Sequence, residues 1–244
     1  MKRMPSRLLI SWPMTALALM LGCAPAAARV LDKSTTIAGL PLNYKVILPQ
    51  DYDSSKAYPA ILAFPPGGQG MDMVFTTLEH NWAPEAQRRG YLAFIPAAPL
   101  GRLFYQDGAR VFPEFLEQLL AEYKIRDRKF HIAGMSNGGI SAFAIAASDP
   151  QYFRSVTVFP GFLPDATPAR IHALAKLCLY LHVGELDESW RQMMEEQAAD
   201  FRARGYTVRM TVEKGESHVI RALTGEGAAR LFAEIEESHA GCGK

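Results

Sequence analysis

Ser136 occupies the centre of Gly134-Met135-Ser136-Asn137-Gly138, where an apolar run at 130–134 gives way to a small-residue helical pattern at about 138–148. A serine hydroxyl is a weak nucleophile until a base takes its proton. A tight strand-to-helix turn lifts that hydroxyl over the edge of a sheet. Flanking glycines remove side chains that would crowd such a turn, and the start of the following helix turns N–H groups toward developing negative charge. The chemistry this points to is attack on a carbonyl carbon.

Such a serine needs a base, and the chain has six histidines. His131 and His182 fall inside strand patterns and read as core residues. His80 and His172 fall in helical stretches, and His239 lies at the far end of the last helix. His218 is different: Lys214-Gly215-Glu216-Ser217-His218 follows a strand and precedes the final helix. The base in turn needs an acid to orient its ring and stabilise its charged form. Val183-Gly184-Glu185-Leu186-Asp187 offers two acids just beyond a strand. Asp187 is preferred, because the glycine and two more residues let the loop curl back toward the serine, and Glu185 is the alternative.

Negative charge on the attacked oxygen needs preorganised donors, each worth about 3 kcal/mol. One expected donor is the N–H of Asn137, next after the nucleophile. A second is expected from Pro65-Pro66-Gly67-Gly68-Gln69-Gly70, at Gly68 or Gln69. No metal is expected. Histidines and acids do not fall at helical pair spacing, and three cysteines are too few and too scattered for zinc. No phosphate-binding loop precedes a helix.

The elements that must position these groups alternate. Strand patterns lie at 42–48, 60–64, 91–95, 130–134, 156–159, 177–183 and 208–212. Helical patterns lie at 73–89, broken by Pro84, and near 112–123, 138–148, 168–176, 189–204 and 228–235. Val208, Met210 and Val212 alternate with polar residues, which places that strand near a sheet edge. Alternating strands and helices predict an α/β fold, a mainly parallel sheet with helices on both faces. Right-handed crossovers then bring the strand ends, and the loops after them, to one rim.

The first 28 residues are set aside as a leader. Lys2, Arg3 and Arg7 precede an apolar run at 8–21, interrupted by Ser11, Pro13 and Thr15, and small residues follow. That order reads as a signal for export to the periplasm or beyond, and the run is too short and broken for a membrane span. Two processing routes stay open. Ala26-Ala27-Ala28 offers a small-residue cleavage site, whereas Met20-Leu21-Gly22-Cys23 is similar to a lipoprotein box that would anchor the protein to a membrane by a lipid at Cys23. Residues 29–244 are expected to form a single domain. The chain has 26 basic and 25 acidic residues, a formal charge of +1; without the three basic residues of the leader the balance is 23 against 25, or −2. No basic patch or charge run suggests nucleic acid as a partner.

The order of serine turn, acid and histidine resembles that of the α/β-hydrolase superfamily. Gly134-Met135-Ser136-Asn137-Gly138-Gly139 is similar to the nucleophile turn of polyhydroxybutyrate depolymerase and feruloyl esterase-like proteins, and of the phospholipase/carboxylesterase group. The likeness spans about residues 40–236. It implies a three-layer sandwich that hydrolyses small-molecule or polymeric carboxylic esters through an acyl-enzyme without a cofactor. Ser136 would be the nucleophile, His218 the acid–base and Asp187 its partner. Many of these relatives carry His-Gly where this chain has Pro66-Gly67. The short stretch after the strand at 156–159 leaves no room for a large lid, so an open cleft is expected, with Trp82, Phe104, Tyr105 and Trp190 as candidate lining residues. The implied fold also brings Cys178, at the start of its strand, to the same far edge as Cys242, so a disulfide between them is open. Two other functions fit the same features: a serine peptidase acting on small peptides, and a non-catalytic envelope protein that has kept the fold.

Overall fold

The computed structural model describes Met1 and residues 29–241. The expected leader, with both of its processing sites, and Cys242 lie outside them. Eight strands form one sheet: β1 (Val30–Ile37), β2 (Leu40–Ile47), β3 (Tyr58–Phe64), β4 (Leu92–Pro96), β5 (Ile125–Gly134), β6 (Phe153–Val158), β7 (Cys178–Gly184) and β8 (Val208–Glu213), in the order β1-β2-β4-β3-β5-β6-β7-β8. The pairs β1·β2 and β2·β4 are antiparallel, and all others are parallel. Seven α-helices cover the sheet: α1 (Met71–Thr77), α2 (Ala83–Arg89), α3 (Glu114–Glu122), α4 (Asn137–Ser148), α5 (Pro168–Ala173), α6 (Glu188–Ala203) and α7 (Ala229–Glu237).

The central strands are apolar on both faces because both faces are covered. On one side Leu62, Phe94, Ile132, Val156 and Leu181 pack under α3, α4 and α6 through Phe115, Phe143 and Phe201. On the other, Ile61, Ala93, Ile95 and Ala133 meet α1, α2 and α7 through Val74, Ala86, Leu231 and Phe232. The result is the expected α/β three-layer sandwich, and β8 lies at a sheet edge as its one-sided alternation indicates.

Three local departures have physical causes. β1 is a largely polar edge strand whose alternation is weak, and it pairs with β2 through a two-residue turn. That turn places Ala38 and Gly39 both at positive φ, 49° and 75°, where only the glycine is an obvious signal. The helical stretch at 73–89 divides into α1, a π-helical turn at Leu78–Trp82, and α2, whose first turn holds Pro84. β5 begins at Ile125, ahead of the apolar run, through a polar lead-in in which Asp127 and Arg128 take positive φ. At the opposite rim from the chemistry, Cys178 is buried and disulfide-bonded, to a partner outside the described residues.

Candidate active site

The strands β3, β5, β7 and β8 deliver their following loops to one rim. Between β5 and α4 the chain turns so sharply that Ser136 takes φ 56° and ψ −122°, a conformation that costs a non-glycine residue about 1–3 kcal/mol. Backbone bonds hold it there: the Ser136 N–H donates to the Pro160 carbonyl at 2.7 Å, and the Gly138 N–H to the Met135 carbonyl at 2.8 Å. A Cβ on Gly138 would lie 2.2 Å from the Phe64 carbonyl oxygen, so only glycine lets the turn sit against the end of β3.

His218 meets this serine across 82 residues of chain and meets Asp187 across 31. The Ser136 hydroxyl lies 2.8 Å from His218 Nε2, and His218 Nδ1 lies 2.6 Å from Asp187 Oδ2. The carboxylate beside Nδ1 assigns the proton to that nitrogen, which leaves the Nε2 lone pair facing the hydroxyl. The Asp187 side chain is largely buried, whereas that of His218 is 37% exposed.

Glu185 does not approach the imidazole. Its carboxylate accepts the Gly215 N–H at 2.8 Å, joining the acid loop to the histidine loop. The Leu186 N–H donates to the Glu216 carbonyl at 2.9 Å, and the Glu216 carboxylate accepts the N–H groups of Arg221 and Ala222. The two loops pass so closely that a Cβ on Gly184 would lie 2.2 Å from the Ser217 carbonyl oxygen. The 2.6 Å contact is thus held by a web of backbone bonds.

Of the expected oxyanion donors, Gln69 is corrected. Its N–H is taken by the Pro66 carbonyl at 3.0 Å, closing a turn with Gln69 at φ 55°. Its side chain is fully buried and braces the loop, donating to the Pro65 carbonyl and Ser141 Oγ and accepting the Phe104 N–H at 2.9 Å. The N–H groups of Gly68 and Asn137 have no acceptor among the described residues. The Asn137 side chain donates to the Gly67 carbonyl at 2.9 Å, so the serine turn and the glycine loop are tied directly.

A buried charged cluster lies at the roots of the two loops. His182 Nδ1 is 2.9 Å from Glu213 Oε1, and its Nε2 is 2.9 Å from Glu234 Oε2. Arg230 closes a two-pronged pair on Glu213. Carboxylates at both ring nitrogens require both to be donors, hence an imidazolium. Burial pulls the His182 pKa down, but the bonds from Glu213 and Glu234 outweigh it and leave the pKa raised. The same bond, helped by Arg230, holds Glu213 at about 2. His182 precedes Asp187 by five residues and Glu213 precedes His218 by five. The cluster therefore joins β7, edge strand β8 and α7 just beneath the candidate pair.

The remaining histidines stand apart. His131 is buried with Ser155, and burial pushes its pKa well down; His239 contacts Tyr91, and His80 and His172 are exposed. Trp82 and Phe104 are fully buried in the two cores and do not line a cleft, and Tyr105 is half-buried. Trp190 packs against His218 in a T-shaped arrangement, with ring centroids 4.8 Å apart. Among the described residues no group of three or more His, Cys, Asp or Glu is arranged to hold a metal, and no helix is long and apolar enough to cross a membrane.

No protein-family model matches the sequence, and no curated protein matches it. Solved structures do. A thermostable esterase superposes with a TM-score of 0.67 at 16% identity, over 86% of this chain and 61% of that one. This chain therefore spans about three-fifths of that esterase's length. The feruloyl esterase module from Clostridium thermocellum, complexed with sinapinate, gives 0.63 at 15% identity, over 88% of this chain and 89% of the module. An S-formylglutathione hydrolase from Agrobacterium tumefaciens gives 0.63 at 16%, over 85% and 94%. At these identities the likeness establishes the fold: the chain is an α/β-hydrolase fold, with a serine, a histidine and an aspartate in hydrogen-bonded line at its rim.

Proposed function

We propose that this protein is a serine esterase that hydrolyses carboxylic esters through an acyl-enzyme. The observation that carries the proposal is the unbroken line from Ser136 Oγ through His218 to Asp187, at 2.8 and 2.6 Å. His218 Nε2 takes the hydroxyl proton as Oγ bonds to the ester carbonyl carbon. Asp187 accepts the Nδ1–H bond and stabilises the imidazolium. The carbonyl oxygen becomes an oxyanion bonded by the N–H groups of Asn137 and Gly68. Collapse breaks the bond to the alcohol, which leaves with the proton from Nε2. Water then attacks the acyl-enzyme, gives its proton to Nε2, and the acid departs as the proton returns to Oγ. Every step is a proton or acyl transfer, and no external oxidant or reductant takes part.

The test is labelling of Ser136 by a fluorophosphonate, together with hydrolysis of nitrophenyl esters that disappears in Ser136→Ala. Failure of the folded protein to label favours a non-catalytic binding protein. Faster turnover of peptide anilides than of esters would replace the esterase by a peptidase. We propose export as well. It is supported by the basic, apolar and small-residue order of residues 1–28 and by the disulfide at Cys178, which fits an oxidising compartment. Cell fractionation, with fatty-acid labelling of the wild type and Cys23→Ser, separates a released from a lipid-anchored form.

A further inference from the structure

Large exposed apolar side chains are unevenly distributed over the described surface. Met1 aside, there are six: Phe75, Leu100, Leu186, Met193, Val212 and Val219. Leu186, 65% exposed, immediately precedes Asp187, and Val219, 50% exposed, immediately follows His218. Met193 lies three residues after Trp190 on α6, on the same helix face. Trp190 is itself only partly buried, edge-on to His218 and backed by Phe162 at 5.1 Å. Phe162 follows Pro160, whose carbonyl holds the Ser136 N–H. The nearby acids Glu185 and Glu216 direct their carboxylates to backbone N–H groups of the histidine loop and the turn after it. The histidine side of the rim thus sets apolar and aromatic side chains next to the imidazole, whereas on the other side the glycine-rich backbone of 67–70 intervenes before the exposed Phe75 and Leu100.

Chemistry gives that side a specific occupant. His218 Nε2 hands its proton to the departing alcohol oxygen, so during reaction that oxygen is within hydrogen-bond distance of the imidazole. The carbons attached to it must then run over the groups that surround the ring. Resting on the esterase reading above, we infer that Trp190, backed by Phe162 and flanked by Leu186 and Val219, forms a subsite for the alcohol portion of the substrate and selects esters of extended apolar alcohols. Trp190 is a specificity-determining residue in this arrangement.

The experiment is kcat/KM on linear alkyl acetates from ethyl to hexyl, followed by acid release. Primary alcohols in this series leave with nearly equal intrinsic ease, so the trend reports contact. Full burial of one methylene is worth about fourfold and half-burial about twofold. Four added methylenes on an open platform should therefore raise kcat/KM roughly 16-fold. In Trp190→Ala the hexyl-to-ethyl ratio should fall below about 3. Val219→Ser, at an exposed position, should lower it part of the way and supplies the result if Trp190→Ala does not fold. A matched acyl series, methyl acetate to methyl hexanoate, should keep its slope in Trp190→Ala. A wild-type ratio near one, a ratio unchanged in the variants, or loss of the acyl slope instead overturns the subsite. If Ser136 labels and esters turn over while the alcohol series is flat, the subsite alone fails. If Ser136 neither labels nor hydrolyses any ester, the esterase reading fails with it.

Discussion

Replacing Glu213 by glutamine tests whether the charged cluster under the loops holds them in place. The change keeps the volume but removes the charge. It also turns an amide N–H₂ toward either Arg230 or the His182 N–H, both donors. The carboxyl is held at about 2 against an ordinary 4.5, which corresponds to about 3 kcal/mol favouring the folded, ionised form. Removing one member of a buried ion pair costs about 3–5 kcal/mol, so the two arguments agree. For a domain of this size the loss should lower Tm by about 6–20 °C at pH 7. A carboxyl with a depressed folded pKa contributes stability above its unfolded value and loses it as pH falls toward the folded value. The gap between wild type and variant should therefore be full above pH 4.5, shrink below it and close near pH 2. His182 has the opposite sign: its raised pKa stabilises the fold fully below 6.5, and that contribution is lost as pH rises through the folded value. With only Glu234 left as its carboxylate partner, His182 should lose that contribution at lower pH in the variant. Urea unfolding from pH 3 to 9, with the disulfide intact, measures both limbs. A penalty under about 1 kcal/mol at pH 7, or one undiminished at pH 3, would refute the reasoning.

Three further outcomes are expected. Asp187→Asn should lower kcat about 10⁴-fold by favouring the wrong imidazole tautomer; Glu185→Gln still accepts the Gly215 N–H and should stay within tenfold of wild type, as steady-state ester hydrolysis will measure. Gly138→Ala places a carbon 2.2 Å from the Phe64 carbonyl oxygen, so soluble yield and fluorophosphonate labelling should both collapse. Asn137→Ala keeps its N–H donor but frees the Gly67 carbonyl; kcat should drop about tenfold with little change in KM, because donors at an oxyanion act chiefly in the transition state.

The alternation of strands and helices and the three rim residues are legible in the sequence for the same reason. Central parallel strands are covered on both sides, so they appear as short apolar runs, and whatever polar residue follows such a run falls at the rim. β1 escaped because its alternation is weak and its turn is Ala38-Gly39 rather than a strong hairpin signal. The His182 cluster escaped because it depends on register and on a distant helix: Gly184 pairs with Glu213, and Glu234 reaches the ring from α7, 52 residues further along the chain. In one dimension His182 looks only like a strand histidine. Gln69 shows the limit at finer scale. Its place in a glycine-rich loop marks the segment, but only three-dimensional contacts show that its N–H closes a turn and its amide braces Phe104. Trp82 and Phe104 lie near rim segments in sequence yet point inward, a distinction that spacing alone does not make.

The connection between β6 and α5, residues 159–167, is short and carries no helix or strand of its own among the described residues. Under the proposed mechanism, this connection would place no helix or strand between an acyl group on Ser136 and solvent. Such an acyl-enzyme would meet water at far higher concentration than any alcohol, which favours hydrolysis over transesterification.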